Sequence, residues 1–395
     1  MIHYLARAIQ IIAALGAVSA IAYYGLCLWS AVRFLRDRKA GEVEFEPSRE
    51  AARVLPPVSI LKPLKGMDPE IYESFRSHCR QDYPEYEIIF GVSDADDPAI
   101  ESVERLKREF PDRAIRLVVC REILGANVKV SNLVQMLPTA RYDYLIVNDS
   151  DIQVESDYLR RVLAPLADPK VGMVTCLYRG IAGPTLGSRL EAVGISTDFC
   201  GGVLAARLLE RGIRFGLGST LAFRRTDLQT IGGFESFVDY LADDYEMGAR
   251  IAERGLEVRL ADVVVETFLP PYDLRGYLDH QLRWARSVRD SRPWGYVGLV
   301  FTFGLLWALL ALIAGQGAGW AWTVFGAAVV LRLAVVGLVG RVVLRDRQIP
   351  QLLWLLPLRD LLAGLVWLGS FVGHTVVWRG ERFRLKDGKL ARVWR

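Results

Sequence analysis

Two aspartates, one residue apart, follow a short run of β-branched and aromatic residues near the middle of the chain. Residues 144–147 are Tyr, Leu, Ile and Val, a pattern typical of a buried parallel strand, and Asp149 and Asp151 come soon after it. Ligands bind at the carboxyl edge of such sheets, where two carboxylates can share a divalent cation with a diphosphate. The same residues are also typical of a turn that caps the next helix. Taken alone, they leave both interpretations open.

Other residues suited to the same chemistry occur on both sides of this pair. Asp94 ends a second apolar strand at residues 86–94, and Lys129 lies at the start of a predicted helix. Asp243 and Asp244 open another helix, where acidic residues favour the first turn through the helix dipole. Adjacent carboxylates can also differ strongly in proton affinity, which suits one of them to deprotonate a hydroxyl. The pair is therefore either a helix start or a general base.

Arginines recur every three residues late in the chain. Arg283, Arg286 and Arg289 would form a stripe along one helix, beside Trp284. Such a stripe of guanidinium groups can meet lipid phosphates or a diphosphate leaving group.

The elements that position these residues alternate between strand and helix. Strands are predicted at residues 58–66, 86–94, 115–120, 171–179 and 258–266, with helices at 69–82, 98–110 and 125–137 between the early ones. Alternation of this kind predicts an α/β fold with a mostly parallel sheet and right-handed crossovers. Lys62 and Lys65, at the end of the first strand, are either phosphate contacts or solvated loop charges. Residues 186–211 are predicted to be mostly helical.

Long apolar segments flank this region. Residues 8–32 contain no charge and are long enough to cross a bilayer, and the basic residues that follow place the next part of the chain in the cytoplasm. Residues 296–314 and 319–340 predict a helical hairpin, in which Arg332 should face protein or reach toward the surface. Arg359 and Asp360 interrupt a third apolar segment at residues 352–378. The basic tail should stay cytoplasmic, so the number of crossings after residue 293 is open.

Composition excludes several classes of protein. Of 395 residues, 52% are apolar, and the net charge of +4 is too small to indicate a nucleic-acid partner. The five cysteines show no spacing typical of a metal site or a disulfide framework, and we expect them to be small buried side chains.

Taken in order, the motifs resemble those of a known family. The segments VSILKPLKG, GVSDADDPAI, GANVKVSNL, NDSDI and ADDY, followed by Arg283 and Trp284, are similar to the ceramide glucosyltransferase family of membrane glycosyltransferases. That family includes bacterial enzymes of hopanoid glycosylation. One position departs from the family pattern, because His280 stands where Gln or Arg is usual. His280 is either a polar contact to the diphosphate or acceptor, or an ordinary hydrogen-bonded histidine.

The resemblance implies a cytosolic domain of the GT-A type, Rossmann-like, with transmembrane helices at both ends. It implies inversion at the anomeric carbon of a UDP-sugar. It assigns Asp94 and Lys129 to the uridine part of the donor, and Asp149 with Asp151 to Mg²⁺ or Mn²⁺ on the diphosphate. Asp244 would be the base. Arg283 and Trp284 would line the leaving-group and acceptor side.

These inferences predict a membrane anchor at residues 1–40, a transferase domain at 41–292 and membrane segments with a basic tail at 293–395. Segments on both sides of the domain indicate a lipid acceptor at the bilayer surface. The predicted protein is an integral enzyme of a bacterial inner membrane that moves one hexose from a UDP-sugar to a lipid. Glucose is the first choice for the sugar and ceramide for the lipid. Transfer of N-acetylglucosamine to a hopanoid, and a processive polysaccharide synthase, are the alternatives.

Overall fold

The computed structural model describes residues 2–44, 55–210, 212–378 and 380–392. The stretch before the first strand falls partly on residues 45–54, outside the described residues. The chain forms two compact units. The helical unit comprises Met1–Asp37, Pro184–Leu208 and Pro271–Asp387, and the sheet unit comprises Arg38–Gly183, Leu209–Pro270 and Gly388–Arg395.

The bounds of the regular elements follow, in chain order. The described helices are α1 (Ile2–Glu44), α2 (Ile71–Cys79), α3 (Ala99–Glu109), α4 (Val128–Met136), α5 (Tyr158–Leu163), α6 (Leu186–Gly194), α7 (Cys200–Leu209), α8 (Arg225–Thr230), α9 (Asp243–Glu253), α10 (Leu274–Ser291), α11 (Pro293–Gly298), α12 (Gly304–Ala314), α13 (Gly319–Val335), α14 (Ile349–Leu352) and α15 (Leu356–Ser370). The described strands are β1 (Val58–Leu64), β2 (Tyr86–Val92), β3 (Ala114–Val119), β4 (Tyr144–Val147), β5 (Ile152–Gln153), β6 (Val171–Ile181), β7 (Leu221–Arg224), β8 (Glu257–Phe268), β9 (Thr375–Trp378), β10 (Glu381–Lys386) and β11 (Lys389–Arg392).

The sheet unit contains one mixed sheet, whose described strands run in the order β3-β2-β1-β4-β7-β6-β8-β5. β1 pairs in parallel with β2 and β4, and β2 pairs in parallel with β3. β6 and β8 are also parallel, whereas β7 is antiparallel to both β4 and β6. The predicted α/β fold with a mostly parallel sheet is confirmed. Because β1, β2 and β4 run in the same direction, their carboxyl ends lie at one edge.

The core of the sheet unit explains why its strands are almost wholly apolar. Ile60 of β1 and Phe90 of β2 are buried, and they belong to the same cluster as Phe75 of α2, Val103 of α3 and Leu159 of α5. Strands covered by helices have no solvent face, so they contain continuous apolar runs rather than alternating polar residues. All five cysteines of the chain are buried, as expected.

The helical unit contains several helices long and apolar enough to cross a bilayer. Among the described residues they are His3–Lys39, Leu186–Leu209, Gly319–Val343 and Ile349–Ser370. The single helix predicted at residues 296–314 is wrong, because Pro293–Thr302 and Gly304–Ala314 meet at a bend of 53°. The third segment also ends earlier than predicted. Its helix stops at Ser370, and residues 375–378 form β9, which pairs antiparallel with β10.

The segment Leu186–Leu209 lies inside the predicted transferase domain but belongs to the helical unit. It consists of α6 and α7, joined by a π-helical turn at Ile195–Phe199. The strands on either side of it share one sheet, since β6 precedes it and pairs with both β7 and β8, which follow it. A single crossing would place those strands on opposite sides of a membrane. This segment therefore does not make a single crossing of a membrane.

A buried ion network ties this segment to two of the apolar helices. Arg332 of α13 is 2% exposed and contacts Asp198 at 3.0 Å and Asp360 at 2.8 Å. Arg359 lies 3.3 Å from Asp198. Arg332 therefore faces protein, which was one of its two predicted environments. The two arginines and two aspartates balance in charge, which reduces the cost of burying each of them.

Candidate active site

The loop after β4 carries Asp149 and Asp151 and is held by buried polar contacts. Asn148 is fully buried, and its Nδ2 donates to the carbonyl oxygen of Ser219 at 2.7 Å and to the Tyr158 hydroxyl at 2.9 Å. Nζ of Lys62, a residue of β1, donates to the carbonyl oxygen of Asp149 at 2.9 Å. Because it is costly to leave such buried groups without hydrogen-bond partners, these contacts restrain the conformation of the loop.

Lys62 does not occupy the position of a surface phosphate contact. Its side chain is fully buried within β1, and burial lowers the pKa of Lys62 to about 7 against the opposing effect of Asp151 and Asp149. Neither environment predicted for it, phosphate contact or solvated loop charge, is correct. Lys62 supports the loop that carries the aspartates.

Lys129 links two of the predicted acidic positions. Its Nζ lies 2.8 Å from Oδ1 of Asp149 and 3.3 Å from Oδ2 of Asp243. Burial lowers the pKa of Lys129, but the neighbouring aspartates outweigh burial and leave the pKa raised, so the ammonium stays charged. Asn127, which caps α4, fixes the position of this lysine by donating from Nδ2 to Asp243 Oδ1 at 3.2 Å.

Asp244 has a raised proton affinity. Burial, followed by the charge of Asp243, raises the pKa of Asp244 to about 6. One of its oxygens, Oδ1, accepts from the amide of Tyr245 at 2.8 Å. A carboxylate with a pKa just below neutral is largely ionised at pH 7 and is a stronger base than an ordinary aspartate.

Gly218 lies close to the carboxylates of both Asp149 and Asp244. A Cβ at this position would be 3.0 Å from Oδ2 of Asp149 and 3.2 Å from Oδ2 of Asp244. The loop is tied to the start of α9, because the amide of Gly216 donates to the carbonyl oxygen of Asp244 at 3.2 Å. The structure therefore brings the carboxylates of Asp149 and Asp244 together beside one glycine.

Asp151 and Asp94 have hydrogen-bond partners other than the residues that surround Lys129. Asp151 accepts a hydrogen bond from the Thr267 hydroxyl, and burial together with the charge of Asp149 raises the pKa of Asp151 to about 6. Asp94 follows β2 and is exposed, and its Oδ1 accepts from the amide of Asp96 at 3.0 Å. Its carboxylate thus turns toward its own loop.

The side chains at this edge of the sheet supply only part of the ligands that a divalent cation needs. Among the described residues, no group of three or more His, Cys, Asp and Glu side chains is arranged to hold a metal ion. The four aspartates at positions 149, 151, 243 and 244 nevertheless outnumber the two nearby lysines, which leaves excess negative charge. Asp149 and Asp151 fit a cation that takes its remaining oxygen ligands from a bound diphosphate.

The predicted arginine stripe lies on α10 of the helical unit, and two of its members have structural roles. Arg286 donates to the carbonyl oxygen of Val372 at 2.8 Å, and Arg289 donates to that of Gly373 at 3.2 Å. Both cap the chain just beyond the end of α15. Arg286 and Arg289 thus donate to the backbone of the protein itself, and Arg283 is the member of the stripe that we assign to a phosphate contact below.

Trp284 and His280, one helical turn apart on α10, have ring centroids 5.1 Å apart. His280 Nδ1 lies 2.9 Å from Oε1 of Glu191, a buried residue of α6 that sequence reasoning missed. No local signal in the sequence relates the two, because 89 residues separate them.

Comparisons with known proteins identify a matching family and several similar proteins. A family model described as glycosyl transferase family 21 matches residues 12–391. Ceramide glucosyltransferase 3 of Caenorhabditis elegans is 25% identical over 350 residues, which cover 85% of this chain and 74% of that protein. The ceramide glucosyltransferase of Komagataella phaffii is 37% identical over 108 residues, 26% of this chain and 21% of that protein.

Among solved structures, a mannosyltransferase from Pyrobaculum calidifontis in complex with GDP-Man and Mn²⁺ resembles this chain. The TM-score is 0.50 at 20% sequence identity, with 91% of this chain and 99% of that chain covered. The likeness concerns the fold alone and confirms the predicted GT-A type.

Proposed function

The chain belongs to glycosyl transferase family 21, and from that premise we propose that it moves one hexose from a UDP-sugar to the hydroxyl of a membrane lipid. The observation that carries this proposal is the placement of the Asp149 and Asp244 carboxylates together beside Gly218. A group that holds the donor and a base that activates the acceptor must lie close together for a single displacement.

Asp244 is the base in this proposal. Its carboxylate takes the proton of the lipid hydroxyl as the hydroxyl oxygen bonds to the anomeric carbon. The bond between that carbon and the diphosphate oxygen breaks with its electron pair going to UDP, and the configuration at the carbon inverts. The raised pKa of Asp244, about 6, supports this role because the group is both ionised and basic at neutral pH.

Asp149 and Asp151 hold the divalent cation of the donor diphosphate, Mn²⁺ or Mg²⁺, and Asp94 and Lys129 hold the uridine part. When bound, the cation offsets the charge that develops on the departing diphosphate. The ion pair of Lys129 with Asp149 keeps that carboxylate oriented before the donor arrives. The Mn²⁺ of the structurally similar mannosyltransferase supports this assignment.

Arg283 and Trp284 line the leaving-group and acceptor side. The apolar helices of the helical unit support a lipid acceptor, since a hydroxyl at the bilayer surface need not be extracted from it. We place the protein in the inner membrane of a bacterium, with its sheet unit in the cytoplasm. The names of the similar ceramide glucosyltransferases make glucose and ceramide the first donor sugar and acceptor to test.

The experiment incubates the purified full chain with Mn²⁺, a UDP-sugar and a lipid, followed by mass spectrometry of the lipids. UDP-glucose and UDP-N-acetylglucosamine are each combined with ceramide and with a polyhydroxylated hopanoid. Asp244→Asn is the test variant, and Asp143→Asn is its matched control because that side chain is 87% exposed at the start of β4. A parallel arm contains EDTA.

We expect one hexose per ceramide, lost with EDTA and reduced about 10²- to 10⁴-fold in Asp244→Asn, as for removal of a general base. Asp143→Asn should retain full activity. An N-acetylhexosamine on the hopanoid alone would preserve the mechanism and replace both substrates, and a polymer would replace single transfer. A product that forms equally well in Asp244→Asn would contradict the role of Asp244.

A further inference from the structure

Glu191 is a buried acidic residue inside one of the most apolar segments of the chain. It lies on α6, within Leu186–Leu209, and is 2% exposed. An ionisable residue in such surroundings needs a partner, and here the partner is His280 of α10. Nδ1 of His280 lies 2.9 Å from Oε1 and 3.1 Å from Oε2 of Glu191.

This contact determines which nitrogen of His280 faces a ligand. A carboxylate only accepts hydrogen bonds, so Nδ1 carries a proton and donates it to Glu191. The ring is thereby fixed in orientation, with Nε2 directed away from Glu191. Among the described residues, none hydrogen-bonds Nε2, and this nitrogen is not among the buried atoms that lack a partner. Nε2 is therefore accessible.

Aromatic rings lie beside the ring of His280. The ring of Tyr272 stacks on His280 at 5.3 Å and 24°, and the ring centroid of Trp284 is 5.1 Å from that of His280. Phe199, from the same segment as Glu191, extends the row at 6.0 Å from Trp284. Aromatic faces beside one hydrogen-bonding atom suit a molecule with a hydroxyl on a carbon skeleton.

The segment that supplies Glu191 is itself held in place. Asp198, seven residues further along, lies 3.0 Å from Arg332 and 3.3 Å from Arg359. Because these ion pairs join the turn between α6 and α7 to α13 and α15, they restrain the position of α6 and α7. The carboxylate of Glu191 is thus presented to His280 from a fixed support.

Charge distinguishes between the two ligands that His280 could contact. A glutamate and a histidine together carry a charge of zero or minus one, which does not favour a diphosphate anion. A neutral hydroxyl carries no such penalty and can share a hydrogen with Nε2 in either protonation state of the ring.

We propose that Glu191 is a positioning residue, which orients His280 so that Nε2 hydrogen-bonds a hydroxyl on the polar head of the lipid acceptor. The head packs on the rings of Tyr272 and Trp284. This inference rests on the proposed function, and it identifies the recognised feature of the acceptor as a hydroxyl at the end of an apolar chain.

The test measures KM and kcat for acceptor and donor separately in Glu191→Gln, His280→Ala and the double variant, in the full chain. Glu191→Gln keeps the size of the side chain and removes its charge. Asp279→Asn is the matched control, since Asp279 is an exposed acid adjacent to His280 on α10. Thermal unfolding in detergent reports whether each variant is folded.

We expect Glu191→Gln to lower kcat/KM for the acceptor about tenfold, because a neutral amide oxygen accepts from Nδ1 more weakly than a carboxylate does and orients the ring less firmly, and to leave the donor KM unchanged. Asp279→Asn should behave as the unaltered protein. In the His280→Ala background, Glu191→Gln should change kcat/KM less than twofold, because a positioning residue has no effect once the group that it positions is absent.

A second variant keeps the proposal testable if Glu191→Gln does not fold. His280→Gln retains a donor for Glu191 but removes Nε2, and it should give the same tenfold loss for the acceptor alone. An unchanged acceptor kcat/KM in His280→Gln, an equal loss for donor and acceptor, or an undiminished effect of Glu191→Gln beside His280→Ala would each overturn the proposal. Absence of product from the unaltered protein would instead remove the proposed function itself, and this inference with it.

Discussion

The pH dependence of transfer tests the electrostatics around Asp244. Asp244 must be unprotonated to accept the hydroxyl proton, so activity should fall as the pH drops through its pKa of about 6. At that pKa the ionised fraction is about 97% at pH 7.5 and about 9% at pH 5, which predicts a roughly tenfold loss of kcat/KM. An aspartate with an ordinary pKa would lose almost nothing over this range.

The variant Asp243→Asn separates Asp244 from other acids of similar pKa. The charge of Asp243 raises the pKa of Asp244, whereas the pKa of Asp151 is raised by burial, Asp149 and Asp68. Removing the charge of Asp243 should therefore move the acid limb to lower pH. A shift of about one unit would reduce the loss between pH 7.5 and pH 5 from about tenfold to about twofold.

The assay is UDP release with saturating lipid and Mn²⁺ over pH 4.5 to 8.5, with Asp143→Asn as the charge-matched control. That control should keep the acid limb near pH 6. An acid limb in Asp243→Asn at the same pH as in the unaltered protein, or at higher pH, would refute the assignment of the limb to Asp244.

Two further variants test the packing of the site and of the helical unit. Gly218→Ala would place a Cβ 3.0 Å from Asp149 Oδ2 and 3.2 Å from Asp244 Oδ2, and should lower kcat at least tenfold while the protein stays folded. Gly326→Ala, where a Cβ would meet nothing within 4 Å, should be neutral, and equal activities of the two variants would contradict the close approach. Arg332→Met should destabilise the fold by about 3–5 kcal/mol, because it leaves the buried carboxylate of Asp360 without the counter-charge of Arg332 and leaves Asp198 with Arg359 alone. Thermal unfolding in detergent would measure this, and adding Asp360→Asn should recover part of the loss; an unchanged unfolding temperature in Arg332→Met would show that the network contributes no stability.

The sheet and its acidic edge could be predicted from the sequence because both depend on short-range patterns. Residues 144–147 are apolar and β-branched or aromatic, so they form a buried strand, and whatever follows a parallel strand lies at its carboxyl edge. For this reason Asp149 and Asp151 could be placed before their neighbours were known. The apolar helices of the chain were predictable in the same way, from uncharged stretches long enough to cross a bilayer.

The breaks within those helices were less predictable. The bend between Thr302 and Gly304 and the strand at Thr375–Trp378 interrupt two of the long apolar segments. Hydropathy measures solvent preference and not backbone direction, so it could not locate either change.

The sequence by itself determined the order of the elements, the fold class and the residue types at the acidic edge, since each follows from the local period of apolar residues or from an ordered set of motifs. Only the tertiary structure decided how distant side chains pair. Lys62 donates to the loop that carries Asp149, Glu191 holds His280 across 89 residues, and Gly218 lies beside two carboxylates. These pairings depend on the register and packing of whole elements, where a shift of one residue along a strand reverses its faces. No local pattern contains that information.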